Sequence, residues 1–209
     1  NLDSISKTDT EVILKSYSKL GKKCVNKFNG MFSFAIWDNK NKKLFLARDR
    51  LGIKPLFYSS YKDNIYFSSE IKGILNAGVP FEPDFDVIYD YLAYGVYDHS
   101  EKTFFKNIKQ LPAGYTMEID KNNMKLEKYW DLNPSQELSL DTQGRLGLDS
   151  SSDTENFIDL LSDSLKLRLR SDVPIAVHIS GGLDSSVMLS SINNLIGGQQ
   201  NLKAFSYFY

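Results

Sequence analysis

Apolar residues at Ile13, Tyr17, Leu20 and Cys24 recur at helical spacing, and Thr8-Asp9-Thr10-Glu11 ahead of them has the cap-plus-glutamate pattern of a helix start. A helix over 8–20 follows, with Gly21 as its stop. The pattern then shortens. Residues 31–37 are mostly apolar, Asp38-Asn39-Lys40-Asn41 turns them, and 43–48 return. Residues 55–59 and 65–69 repeat this around Lys62-Asp63-Asn64. Short apolar segments between polar turns predict an antiparallel sheet with its inner face buried, and Phe32, Phe34, Ile36 and Trp37 are expected in that core. Residues 70–77 read as a short helix and 88–92 as the start of another. Pro112-Ala113-Gly114-Tyr115 turns into a strand at 116–119, and 125–130 form its hairpin partner.

Residues 133–153 are polar and poor in apolar residues, which marks a linker. A second capping box, Ser152-Asp153-Thr154-Glu155, opens a helix carrying Ile158, Leu161, Leu165 and Leu169 on one stripe. The run 173–179 is continuously apolar, as in a parallel strand buried on both faces. A helix at 185–196, stopped by Gly197-Gly198, and a strand at 201–209 complete a βαβ unit. The polar first nine residues, opening on Asn1 rather than Met, and the strand ending at Tyr209 make both ends read as cuts.

Composition narrows the function. With 25 basic and 26 acidic residues the net charge is −1, which argues against a nucleic-acid binder driven by bulk charge. Cys24 is the one cysteine and His99 and His178 are the only histidines, so neither an intrachain disulfide nor a Cys/His zinc cluster is available. A reducing cytoplasm fits, and no apolar run approaches the ~20 residues of a membrane span.

The chemistry concentrates at Ser180-Gly181-Gly182-Leu183-Asp184-Ser185-Ser186, between the apolar strand and the helix. Two glycines let the backbone turn and approach an anion, and the helix start presents free N–H groups and a positive dipole end. Ser180, Ser185 and Ser186 add hydroxyl donors. Asp184 would repel phosphate unless a cation bridges them, which predicts Mg²⁺. No Gly-Lys-Ser/Thr follows, so this is not a Walker loop.

That segment resembles the signature of the ATP-pyrophosphatase, or PP-loop, family, and Arg168-Leu169-Arg170-Ser171-Asp172-Val173-Pro174 is similar to the stretch leading into it in asparagine synthetases. The resemblance implies cleavage of ATP between its α and β phosphates, with ATP contacts at Ile179, Ser180, Gly181, Gly182, Asp184, Ser185, Ser186 and Tyr207. Three further segments resemble class II glutamine amidotransferases: residues 28–38 (FNGMFSFAIWD), 48–56 (RDRLGIKPL) and 67–72 (FSSEIK). The implied fold is an α+β N-terminal-nucleophile (αββα) glutaminase part over 1–132, a linker over 133–153, and the start of an α/β, Rossmann-like PP-loop domain over 154–209. Thr8-Asp9-Thr10-Glu11 matches the segment whose aspartate holds the amino group of glutamine, against the plainer reading of Asp9 as a helix-dipole carboxylate.

The family's nucleophile is a cysteine at the mature N-terminus, and residue 1 here is Asn1. The segments that clamp the glutamine carboxylate and supply the oxyanion donor also lie upstream, so no catalytic residue is assigned within this chain. Cys24 is expected as a buried core thiol. His178 is expected as a core histidine, His99 is expected to have no acidic or cysteine partner, and Arg48 and Asp49 read as a structural ion pair. The resemblance points to a glutamine-hydrolysing asparagine synthetase, an ATP-dependent carbon–nitrogen ligase acting on glutamine, aspartate and ATP. The alternatives are a relative amidating a surface-polysaccharide sugar or a β-lactam precursor, and a fragment that completes neither half-reaction. The expected partners are small molecules, with neither nucleic acid nor membrane; a homodimer is left open.

Overall fold

Strand pairing organises residues 8–132, which with 150–197 and 202–207 are those the computed structural model describes. The chain divides into two compact units, Asn1–Asn133 and Pro134–Tyr209. In the first, β1 (Ser33–Asp38), β2 (Lys43–Arg48), β6 (Tyr115–Ile119) and β7 (Met124–Lys128) form an antiparallel sheet in the order β1-β2-β6-β7. A second antiparallel sheet has the order β4-β3-β5, from β3 (Phe57–Tyr61), β4 (Asn64–Ser68) and β5 (Lys109–Gln110).

The turns follow from local chemistry. Asp38 accepts hydrogen bonds from Asn41 N–H at 3.0 Å and Asn41 Nδ2 at 2.7 Å, closing the β1–β2 hairpin. Lys62 and Asp63 both have positive φ, 48° and 61°, the left-handed pair that matches the twist of a two-residue hairpin. Asp120 closes β6–β7 by accepting from the N–H groups of Asn122 and Asn123.

Alternation along β2 explains the layering. Phe45 and Ala47 pack with Cys24, Val25 and Ile36, against α1 (Asp9–Leu20) and the 3-10 helix Gly21–Lys27. Leu46 faces the other way, into a cluster with Met117 and Ile119 of β6 and Leu56 and Tyr58 on the second-sheet side. Phe57, Tyr61 and Tyr66 on the far face of the second sheet meet Ile74 of α2 (Ile71–Asn76), Val79 and Ile108. The order is therefore helix, sheet, sheet, helix. Burial of each large side chain in these clusters contributes roughly 1.5–3 kcal/mol.

The first sheet is covered on both faces in its centre, where one buried face was expected. Trp37 departs from expectation in the opposite sense: it is 58% exposed. It alternates with Ile36, so it leaves strand β1, at the sheet edge, on the face away from α1. Helix α3 (Phe85–Tyr94) starts earlier than the apolar pattern suggested, because Asp84 Oδ1 accepts from Asp86 and Val87 N–H; Gly95 ends it in the left-handed conformation.

One glycine is fixed by space as well as by φ. Gly114 has φ +71°, and a Cβ there would lie 2.7 Å from the carbonyl oxygen of Trp130. Its own carbonyl accepts from Tyr129 and Trp130 N–H, so neither backbone segment has room to withdraw. Gly114→Ala is expected to destabilise the unit by about 2–3 kcal/mol, read from urea unfolding midpoints.

The second unit contains α4 (Ser150–Arg168), β8 (Ala176–His178), α5 (Leu183–Ile196) and β9 (Lys203–Phe205). β8 and β9 pair in parallel, Val177 opposite Ala204. α4 is already helical at Ser150, so Ser152 lies inside it rather than at its cap. Of its expected stripe only Leu165 is buried, while Ile158 is exposed. The run 173–179 yields a three-residue strand, half-buried at Val177 and exposed at Ala176 and His178, because among the described residues one strand alone pairs with it. The linker residues 133–149, Gly198 and Tyr209 lie outside the described residues. No helix among those described is long and apolar enough to cross a membrane.

Candidate functional site

The bend between β8 and α5 is open to solvent. Ser180, Gly181, Gly182, Leu183, Asp184 and Ser186 are exposed and Ser185 is half-buried. Gly181 has φ +82° with nothing within 4 Å of where its Cβ would be, and Gly182 is the extended N-cap of α5. Serine hydroxyls hold the turn. Ser185 Oγ accepts from Ser180 N–H at 3.3 Å and donates to the Gly182 carbonyl at 3.1 Å. The Ser180 and Ser185 hydroxyl oxygens lie 3.1 Å apart, Ser180 Oγ accepts from Gly182 N–H, and Ser186 Oγ donates to the same Gly182 carbonyl at 2.8 Å. The first backbone hydrogen bond of α5 runs from Ser186 N–H to Gly182 at 3.2 Å, so the amides of Leu183, Asp184 and Ser185 precede it at the positive end of the helix. Such a bend can take an anion. The Asp184 carboxylate stands exposed in the same first turn.

The other expected nucleotide contacts sit at the C-terminal end of the parallel pair. Ile179 N–H donates to Phe205 O at 2.8 Å, and Ile179 is half-buried. Tyr207, 77% exposed, stacks on His178 with ring centroids 5.9 Å apart and 6° between planes. Since His178 and Ile179 alternate along the strand, the Tyr207 ring lies on the face away from the Ile179 side chain. His178 is thus an exposed stacking partner, correcting its expected core placement.

In the first unit, Asp9 stands exposed in the first turn of α1 and lines a cavity of about 330 Å³. Lys27, Phe28, Asn29, Gly30, Met31 and Phe32 line it as well. The fold therefore joins two segments that the sequence reading treated separately. Lys27 had no motif to mark it; its position directly before Phe28-Asn29-Gly30 was the available signal.

Residues 1–130 match the family described as glutamine amidotransferase domain, and residues 156–209 match the family described as asparagine synthase. The chain belongs to the glutamine amidotransferase family. It is 39% identical over 194 residues to a putative glutamine-hydrolysing asparagine synthetase of Methanocaldococcus jannaschii, covering 90% of this chain and 36% of that protein. Identity is 36% over 206 residues with asparagine synthetase 2 of Bacillus subtilis, covering 95% and 27%. An amidase of Gibberella zeae is 30% identical over 198 residues, covering 92% and 27%. The chain thus spans about a third, or less, of the length of the curated relatives it matches. A solved glutamine phosphoribosylpyrophosphate amidotransferase from Bacillus subtilis aligns with TM-score 0.44 and 15% identity over 98% of this chain and 40% of its own, a likeness too weak to bear on the fold.

Within the amidotransferase unit, Arg48 and Asp49 do not form the expected ion pair. Both are buried, and each is satisfied by backbone. Arg48 donates to the carbonyls of Gly52, Lys54 and Leu111. Asp49 Oδ1 accepts from Leu51 and Ile53 N–H at 3.2 and 3.0 Å, and Oδ2 from Lys54 N–H at 2.9 Å. Both groups bind the backbone of one bend, the guanidinium through the Gly52 and Lys54 carbonyls and the carboxylate through the Leu51, Ile53 and Lys54 amides. His99 does have an acidic partner: its Nε2 lies 3.1 Å from Asp90 on α3. Cys24 is fully buried, as expected, and burial pushes its thiol up from the ordinary value.

Proposed function

We propose that this chain is part of a glutamine-hydrolysing asparagine synthetase, converting aspartate, glutamine and ATP to asparagine, glutamate, AMP and pyrophosphate. The observation that carries the reading is the exposed bend at 180–186, which opens α5 at the end of a parallel strand pair within a segment matching the asparagine synthase family. In this reading the amides of 183–185 bind the pyrophosphate part of ATP, and the hydroxyls of Ser180, Ser185 and Ser186 join them by exchanging the hydrogen bonds they make within the bend. Ile179 contacts the rest of the nucleotide, Tyr207 would reach it only by leaving its stack on His178, and Gly181 and Gly182 keep the approach clear.

Mg²⁺ fits the donor set. A hard cation that keeps phosphate and water ligands needs only one or two carboxylates, and Asp184 is the one in the bend. When bound, the ion would neutralise phosphate charge. Asp9 binds the ammonium of glutamine across the cavity it shares with Asn29 and Gly30. The helix–sheet–sheet–helix order supports an N-terminal-nucleophile fold over 1–132, and the parallel pair with α5 supports a Rossmann-like start to the second unit, whose helix α4 begins at Ser150, so the expected linker at 133–153 ends by 149. The site is expected to work in the cytoplasm.

The full-length protein incubated with aspartate, ATP, Mg²⁺ and glutamine is expected to yield asparagine and pyrophosphate together, measured by amino-acid chromatography and a pyrophosphatase-coupled assay. Pyrophosphate without asparagine would move the reading to an amidotransferase with another acceptor.

A further inference from the structure

Helix α3 turns an apolar stripe to solvent. Phe85, Tyr89 and Leu92 recur at i, i+4 and i+7 on its outer face, Phe81 leads into the stripe, and the Tyr94 ring meets Tyr89 edge-on with centroids 6.2 Å apart. These five side chains are 62–78% exposed, while the inner side of the helix buries Val87. Tyr91 steadies that inner side, packing edge-on against Tyr97 and Phe104. A contiguous face of large exposed rings at helical spacing is an interaction surface.

Three observations point to a second copy of this chain as its occupant. The stripe reads nearly the same from either end: Phe85 and Leu92 stand symmetrically about the middle of the outer face, with Tyr89 between them. Two copies related by a two-fold axis across the helix therefore set Phe85 against Leu92 twice and bring the two Tyr89 rings together, the self-complementary form of an isologous contact. The area is sufficient. At about 150–250 Å² for each large side chain, the five expose roughly 700 Å² per copy, and a pair buries on the order of 1,400 Å², within the size of a specific interface. The bordering charges are already partnered: Lys102 Nζ lies 3.3 Å from Asp86 and His99 Nε2 lies 3.1 Å from Asp90. A second copy can thus approach without burying an unpaired carboxylate, whereas the exposed acids Glu82, Asp86 and Asp98 oppose an anionic lipid surface.

We propose that α3 pairs antiparallel with α3 of a second copy, making the protein a two-fold dimer through its amidotransferase unit. Antiparallel pairing keeps the two acidic helix starts, each with Asp84 and Asp86, apart and sets each positive helix end beside a negative one.

Sedimentation of the full-length protein is the test. Wild type is expected to be dimeric at about 10 µM. Phe85→Glu and Leu92→Lys each introduce a charge that suits its end of the helix dipole but has no partner in a homodimer, and each is expected to weaken dimerisation about a hundredfold or more. Mixing the two variants is expected to restore the dimer. In the mixed pair the new carboxylate of one copy faces the new ammonium of the other, and Leu92 of the first faces Phe85 of the second. Should either variant fail to fold, Tyr89→Ala takes its place, with an expected weakening of about tenfold or more. A wild type that stays monomeric overturns the proposal, giving the stripe to another part of the full-length protein, or to a membrane if it floats with neutral lipid vesicles. Dimers that survive every variant meet through another surface, and a mixture of folded variants that stays monomeric refutes the antiparallel pairing; either result overturns it too.

Discussion

Asp184→Ala in the full-length protein is expected to lower asparagine synthesis by about a hundredfold or more, with glutamine hydrolysis held within about threefold. The carboxylate sits among groups that otherwise favour anions: three amides at the positive end of α5 and a glycine with open space beside it. A negative group there opposes phosphate binding unless a divalent cation joins them. Removing it takes away the protein's hold on that cation while leaving the bend intact, because the turn is held by serine hydroxyls and the Gly182 carbonyl rather than by Asp184. Asparagine by chromatography and ammonia by a coupled assay separate the two activities. Parallel loss of both would sink the assignment of ATP chemistry to the second unit. Asp184→Asn should retain a fraction of synthesis that rises with Mg²⁺ concentration.

Asp49→Ala is expected to cost the amidotransferase unit about 3–5 kcal/mol, the largest loss from any single side chain outside the apolar core. Asp49 is 2% exposed and its two oxygens hold three backbone N–H groups of the bend 51–54. Alanine leaves those part-buried donors without a protein acceptor, at up to roughly 1–3 kcal/mol each, relieved wherever water reaches them. The same bend supplies two carbonyls to Arg48, so its loosening also strips partners from a buried guanidinium. Asp49→Asn keeps an acceptor for Leu51 and Ile53 but turns an N–H donor toward Lys54, and about 1–3 kcal/mol is expected. Thermal and urea unfolding of both variants measures the order; an alanine variant as stable as wild type would show that the bend is held by something other than this carboxylate.

The elements of the first unit were largely legible because their turns carry their own chemistry. Asp38, Asp120 and the Lys62-Asp63 pair announce hairpins by side-chain acceptors and left-handed backbone. The arrangement of strands into two sheets was not legible locally, because β2 pairs with β6 far along the chain and β5 is only Lys109–Gln110. The bend at 180–186 could be read from residue type alone, since glycines and a helix start define it. The Asp9 cavity could be read only by halves, as its second wall comes from residues 27–32. Arg48 and Asp49 misled because adjacent opposite charges suggest each other, whereas burial made backbone the better partner for both. The His99–Asp90 pair was not legible because the chain beyond α3 folds back onto a residue of that helix.

The strand order of the first sheet carries a consequence for how this unit tolerates change. The whole second sheet, with α2 and α3, is an inset between β2 and β6, and its two ends are tied where Gly114 N–H donates to the Asp49 carbonyl at 2.9 Å. Once that knot is made, lengthening the inset adds only about 0.6 kcal/mol of closure entropy per doubling. Loops within residues 50–113 that lie away from the bend 51–54 and from Leu56, Tyr58 and Leu111, which pack on the first sheet, can thus lengthen at small cost to the frame around Phe45.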